Sequence, residues 1–152
     1  MFFSASPPKV NWRTPLNSYK IPAILSTLKK ALPFAPAVLY YGLIFWFSSH
    51  PLPIRSTLPN FDKLGHCAAF GGLGFLLALG YFAAPRLKAG QKALWVAVTG
   101  AGLGILDEVH QLFVPGRTPD PLDALADAAG IGLGLFLYWI IIGRKKAPQA
   151  RL

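Results

Sequence analysis

Long apolar runs separated by short polar segments dominate the chain. Between Lys20 and Leu32, the residues Ile21, Ile24, Leu25, Leu28 and Leu32 recur at helical spacing, with Lys20, Lys29 and Lys30 placed for lipid headgroups. This pattern predicts a short amphipathic helix lying in a membrane interface. The plainer alternative is an extension of the first span, and Pro33 and Pro36 argue against it by favouring a break. Four apolar segments follow, near 34–49, 64–84, 93–113 and 122–143. A membrane span needs about 20 residues at 1.5 Å each. The first and second segments are expected to reach that length easily; the third reaches it only if Asp107 and Glu108 lie within its helix, and the fourth only if Asp127 does. The fold expected is all-α, an integral membrane bundle of four transmembrane helices. Gly100 and Gly104, then Ala126, Gly130 and Gly134, repeat every four residues and mark seams where helix backbones approach closely in lipid.

The pattern divides the chain into a tail with its interfacial helix (1–33), a membrane domain (34–143) and a basic tail (144–152). Composition agrees: 53% of residues are hydrophobic and 14% charged, against about 25% charged in a soluble domain. A net charge of +9 on a soluble chain would point to nucleic acid. Here the basic residues flank apolar runs, so the expected partners are membrane lipids and not nucleic acid. The first twenty residues lack a basic region followed by an apolar one, so insertion is expected to be driven by the internal helices. Cys67 is the single cysteine, which excludes an intramolecular disulfide.

Orientation follows from Lys and Arg. Lys9, Arg13, Lys20, Lys29 and Lys30 precede the first span. Arg86, Lys88 and Lys92 lie between the second and third, and Arg144, Lys145, Lys146 and Arg151 follow the fourth. The other side carries only Arg55, Lys63 and Arg117. Both termini are therefore expected in the cytoplasm. All 6 acidic residues, together with His50, His66 and His110, fall in the opposite halves of the spans. The rule for basic residues does not require acids to segregate, so this clustering needs its own explanation.

Asp62, Lys63 and His66 open the second span, and Asp62 and His66 share a helical face. Asp62 alone could serve as a helix cap, but an imidazole on a spanning helix is costly unless paired. Asp107 and Glu108 are adjacent, with Gln111 one turn on. Two carboxylates so placed suit acid–base chemistry, or form a buried ion pair with Lys63 or Arg117 that only orders the bundle. Pro115 and Gly116 signal a turn that presents Arg117, whose planar guanidinium fits carboxylate or phosphate. Asp120, Asp123 and Asp127 fall on one face at the start of the fourth span. His50 and His110 read as incidental. No His-Glu-x-x-His motif or cysteine pair is present, so no metal site or cofactor is expected. A divalent cation held by carboxylates with His66 is the less favoured option.

These motifs in order, Asp62-Lys63 with His66, Asp107-Glu108 with Gln111, Phe113-Val114-Pro115-Gly116-Arg117, and Asp123 with Asp127 before Gly130, resemble the VanZ-like family, named for a teicoplanin-resistance membrane protein. The resemblance covers roughly residues 34–143. Position 127 carries Asp where many members carry Asn. The resemblance implies a bacterial inner-membrane protein with a role in the cell envelope, and it supplies no mechanism. Resistance belongs to the namesake.

The expected function is a polar site at the extracytoplasmic face that acts on an envelope or lipid-linked substrate. Asp62, His66, Asp107 and Glu108 are its candidate acid–base residues, while Lys63, Gln111, Arg117, Asp123 and Asp127 would bind substrate. No evident nucleophile is present, so attack by water fits best. Two rivals stand beside it: a non-catalytic binder of an envelope precursor or glycopeptide-type drug, and a structural protein whose charges only order the helices. The sequence does not decide whether the protein is an enzyme, nor its oligomeric state.

Overall fold

The structure, a computed structural model, describes residues 23–50 and 61–144. The predicted tail at 1–18, Lys20 and Ile21, Arg55, and the basic tail after Arg144 lie outside the described residues. The described residues form five α-helices: α1 (Ala23–Ala31), α2 (Ala35–Ser49), α3 (Phe61–Ala83), α4 (Ala89–Gln111) and α5 (Pro121–Tyr138). There is no strand among the described residues.

The break expected at Pro33 and Pro36 is only a tightening. A 3₁₀ turn, Leu32–Phe34, joins α1 to α2, and the flanking Ala31, Phe34 and Ala35 all keep right-handed helical dihedrals. Pro33 and Pro36 each occupy a first-turn position, where the missing N–H removes no hydrogen bond. Leu25–Ser49 is thus one apolar run of 25 residues. The 16 residues of 34–49 would reach only about 24 Å, short of the bilayer core. The added turns supply the missing length and leave Lys29 and Lys30 roughly 30 Å from Ser49, at headgroup depth.

The core comes from one stripe on each of three helices, joined by Ala37 of α2. On α3 the buried positions are Phe70, Leu73, Gly74, Leu77, Ala78 and Gly80. On α4 they are Val96, Gly100, Gly104, Asp107, Glu108 and Gln111. On α5 they are Asp123, Asp127, Gly130, Ile131, Gly134 and Tyr138. Each set keeps helical periodicity. On α4 and α5 the stripe is apolar or glycine at one end and carboxylate at the other. α4 and α5 run antiparallel, so their acidic ends meet.

Glycine sets how tightly the helices meet, and the closest interface is α3 with α5. A Cβ on Gly134 would run into the Gly71 carbonyl and come within 2.6 Å of the Phe75 amide nitrogen. On Gly130 it would collide with the Cys67 carbonyl. On Gly74 it would come 2.6 Å from the Ile131 carbonyl oxygen. These neighbours are backbone atoms and cannot move aside. Gly100 and Gly104 make room for Ile131 and Asp127 on the α4 side. Tyr81 Oη with Thr99 Oγ1 (2.8 Å) links α3 to α4, and Tyr41 Oη donates to the Leu103 carbonyl (3.2 Å), linking α2 to α4.

Outside this core the surface is apolar. Among the described residues, three helical runs are long and apolar enough to cross a membrane: Leu25–Ser49, Phe61–Ala83 and Pro121–Gly143. Helix α4 has 23 residues, about 34 Å, but its inward acids lower its mean hydropathy. Its outward face carries Leu94, Trp95, Val98, Ile105, Leu106 and Val109, all exposed. An exposed apolar face with every carboxylate turned inward is what a spanning helix in a bundle requires, so α4 is the fourth span. At the end away from the acids, Lys92 lies over the Phe82 ring and Arg144 over Trp139. Such cation–aromatic pairs suit the lipid–water boundary.

Candidate functional site

The site forms where the first turns of α3 and α5 meet the last turns of α2 and α4. Asp120 caps α5, accepting from Leu122 N at 2.9 Å through Oδ1. This cap presents Asp123 and Asp127 inward on successive turns. Residues 114–117 make a turn with Arg117 N donating to the Val114 carbonyl at 3.1 Å. Gly116 sits at φ +82°, where a side chain is strained.

Lys63 is shared by three carboxylates. Its Nζ lies 2.7 Å from Asp120 Oδ2, 3.0 Å from Asp123 Oδ1 and 3.3 Å from Asp62 Oδ2. Deeper in, His66 Nδ1 bonds Asp127 Oδ1 at 3.0 Å, and its Nε2 is 4.0 Å from Asp123 Oδ2. Glu108 Oε2 accepts from Asp120 N at 3.0 Å, and Gln111 Nε2 donates to Asp107 Oδ2 at 3.0 Å. Asp107, Glu108, Gln111, Asp123 and Asp127 are all buried, with Asp127 at 0% exposure. Outside the spans, the hydrogen bond from Lys63 holds the Asp120 carboxyl below the usual carboxylate range.

The α3, α4 and α5 candidates therefore come together, but several pairings differ from those the sequence suggested. His66 is oriented by Asp127 from another helix, not by Asp62 on its own face. Asp62 is 58% exposed and touches only Lys63. Lys63 neutralises Asp120 and Asp123 instead of Asp107 or Glu108. Arg117 forms no ion pair with any acid among the described residues, and its buried Nε has no hydrogen-bond partner. The physical reason is register. Inward residues near the starts of the parallel helices α3 and α5 pair by depth, while Asp62 at the outer turn points to solvent.

Residues on α2 were missed by sequence reasoning. Ser49 Oγ lies 2.9 Å from His110 Nε2, and the Phe45 and His110 rings stack at 4.0 Å. His110 is thus a brace between α2 and α4, not an incidental residue. Ser49 Oγ also donates to the Phe45 carbonyl at 2.7 Å, within its own helix. Ser48 is buried with an unpartnered Oγ. The available signal was a pair of hydroxyls closing an otherwise apolar span.

An open apolar groove of about 610 Å³ begins beside the polar cluster. Leu64, Cys67 and Ala68 line its near part, and Gly71, Phe75 and Leu137 its continuation along α3 and α5.

The sequence profile of the VanZ/LLP1 family matches residues 1–142. No curated protein and no solved structure matches the chain.

Proposed function

The chain belongs to the VanZ/LLP1 family, and from that premise we propose a bacterial inner-membrane protein whose polar cluster faces away from the cytoplasm and acts on the headgroup of a lipid-linked envelope substrate. The observation that carries this reading is the continuity between the buried acid–imidazole cluster and the lateral groove. Leu64 and Cys67 line the groove, and they flank Lys63 and His66 in the same helical turns. From Leu64 to Leu76 the groove follows α3 for about 18 Å. An acyl or prenyl chain fits such a wall, and its headgroup then lies at the carboxylates.

Roles follow from the contacts. Glu108 and Asp107 each keep one buried carboxylate oxygen without a partner, which suits proton transfer. His66, held by Asp127, is the second proton-transfer group. Lys63 is saturated by three carboxylates and orders the site instead of gripping substrate. Arg117 retains free donors and would bind an anionic group such as a phosphate. The basic opposite end of the bundle supports cytoplasmic termini.

The test is lipid mass spectrometry on full-length protein purified from native membranes. An anionic lipid-linked species should co-purify with the wild type. It should be depleted in Ala68→Phe, which fills the groove, and in Arg117→Gln, which removes the anion contact. Bulk phospholipid alone, unchanged in both variants, would reject the reading. Conversion of the captured species by wild type but not by Glu108→Gln would establish turnover, and retention without conversion would make the protein a binder.

A further inference from the structure

We propose that His66, Glu108 and Asp127 bind one divalent transition-metal cation. The three can each present one donor atom so that all three atoms lie within 4.8 Å of one another. Donors about 2.1 Å from one ion stand roughly 3 to 4 Å apart. Side-chain rotation by about an ångström closes that difference. Each residue comes from a different helix, so the ion would tie α3, α4 and α5 together at their polar end.

Two independent observations point to a ligand there. The first is orphaned oxygen. Glu108 Oε1 and Asp127 Oδ2 are buried without any hydrogen-bond partner, and so is Oδ1 of the neighbouring Asp107. Buried carboxylate oxygens are costly when unpartnered, above all within a bilayer. The second is charge. Asp107, Glu108 and Asp127 face only one imidazole, while Lys63 is engaged by Asp62, Asp120 and Asp123. Arg117 forms no ion pair with any of these acids among the described residues. Two added positive charges would bring this inner group close to neutrality. No other cation among the described side chains is placed to do so.

The donor chemistry selects the ion. One imidazole nitrogen with carboxylate oxygens suits zinc or manganese, whereas magnesium and calcium prefer oxygen alone. Cys67 does not join, because it lines the groove. Three protein ligands leave a position open for water or a substrate oxygen.

This inference stands whatever the substrate proves to be: with the ion bound, His66 and Glu108 serve as its ligands and Asp107 keeps the proton-transfer role, and the test reads metal and not activity. Full-length protein in detergent is dialysed against metal-free buffer and its metal content measured by mass spectrometry. Chelator-treated protein is then titrated with Zn²⁺, Mn²⁺ or Mg²⁺ while its melting temperature is followed. About one equivalent of zinc or manganese should remain bound, and either ion should raise the melting temperature where Mg²⁺ does not. Asp127→Asn and Glu108→Gln should each weaken binding at least about tenfold, while Asp62→Asn should leave it intact. A folded wild type with no retained metal and a melting temperature unmoved by Zn²⁺ and Mn²⁺ would overturn the proposal, leaving protons shared among the carboxyls as the compensation. Full occupancy in Asp127→Asn would overturn it equally. If that variant fails to fold, the wild-type titration decides alone.

Discussion

Arg117 and Asp120 sit three residues apart, and their side chains have opposite duties. Arg117 has no acidic partner, so Arg117→Lys should leave the melting temperature of the solubilised protein unchanged while abolishing capture of an anionic lipid. Lysine keeps the charge but loses the planar donor pair. A parallel fall in stability would instead assign Arg117 to the framework. Asp120 is held by Lys63 and caps α5. Its carboxyl titrates below its ordinary value in the folded protein. Its contribution to stability is therefore full above the unfolded value of about 3.9 and is lost as pH falls through the lower folded value. A melting-temperature profile from pH 7 to 3 should drop below about pH 4, and Asp120→Asn should flatten that drop while lowering stability at pH 7.

At the scale of elements, the seam between α3 and α5 is the most exacting packing in the molecule. Gly134→Ala places a Cβ against the backbone of Gly71 and Phe75. We expect a loss of about 1–3 kcal/mol, as for other overpacked cores. Gly132→Ala, two residues away, meets nothing within 4 Å and should be neutral to slightly stabilising, by up to about 1 kcal/mol of helix propensity. Comparing the two by thermal or denaturant unfolding in the same micelle removes helix propensity from the comparison. The turn before α5 makes a second test. Gly116→Ala forces a side chain into a left-handed conformation and should cost on the order of 1 kcal/mol, with a larger effect on ligand capture because Arg117 shifts with the turn.

For the whole molecule, the organising fact is a bundle with an acidic end and a basic end. All the acids, with Lys63 and Arg117, gather where α3 and α5 begin. Arg86, Lys88, Lys92 and Arg144 lie at the other end. Four spans with cytoplasmic termini predict that a reporter fused after Lys88 reads cytoplasm and one fused after Thr118 reads the far side. The reverse pattern would place the cluster in the cytoplasm and end the envelope reading.

Hydrophobic periodicity and charge spacing were sufficient for the all-helical fold, the approximate spans and the glycine seams, and they put the polar residues of α3, α4 and α5 at one end of the bundle. These are local quantities: a helix aligns residues three and four apart whatever surrounds it. Partners were not legible. Asp62 and His66 share a face by spacing, yet His66 turns to Asp127, some 60 positions away. Lys63 and Arg117 look alike as free cations, and only the packing shows one saturated and the other unpaired. The Pro33 break softened because the surrounding residues stay helical. Ser49 and His110 gained a purpose only when α2 met α4. In each case the deciding term is which side chains arrive at the same depth of the bundle. Depth depends on how closely the glycine seams let the helices approach, and that distance exists only once they are packed.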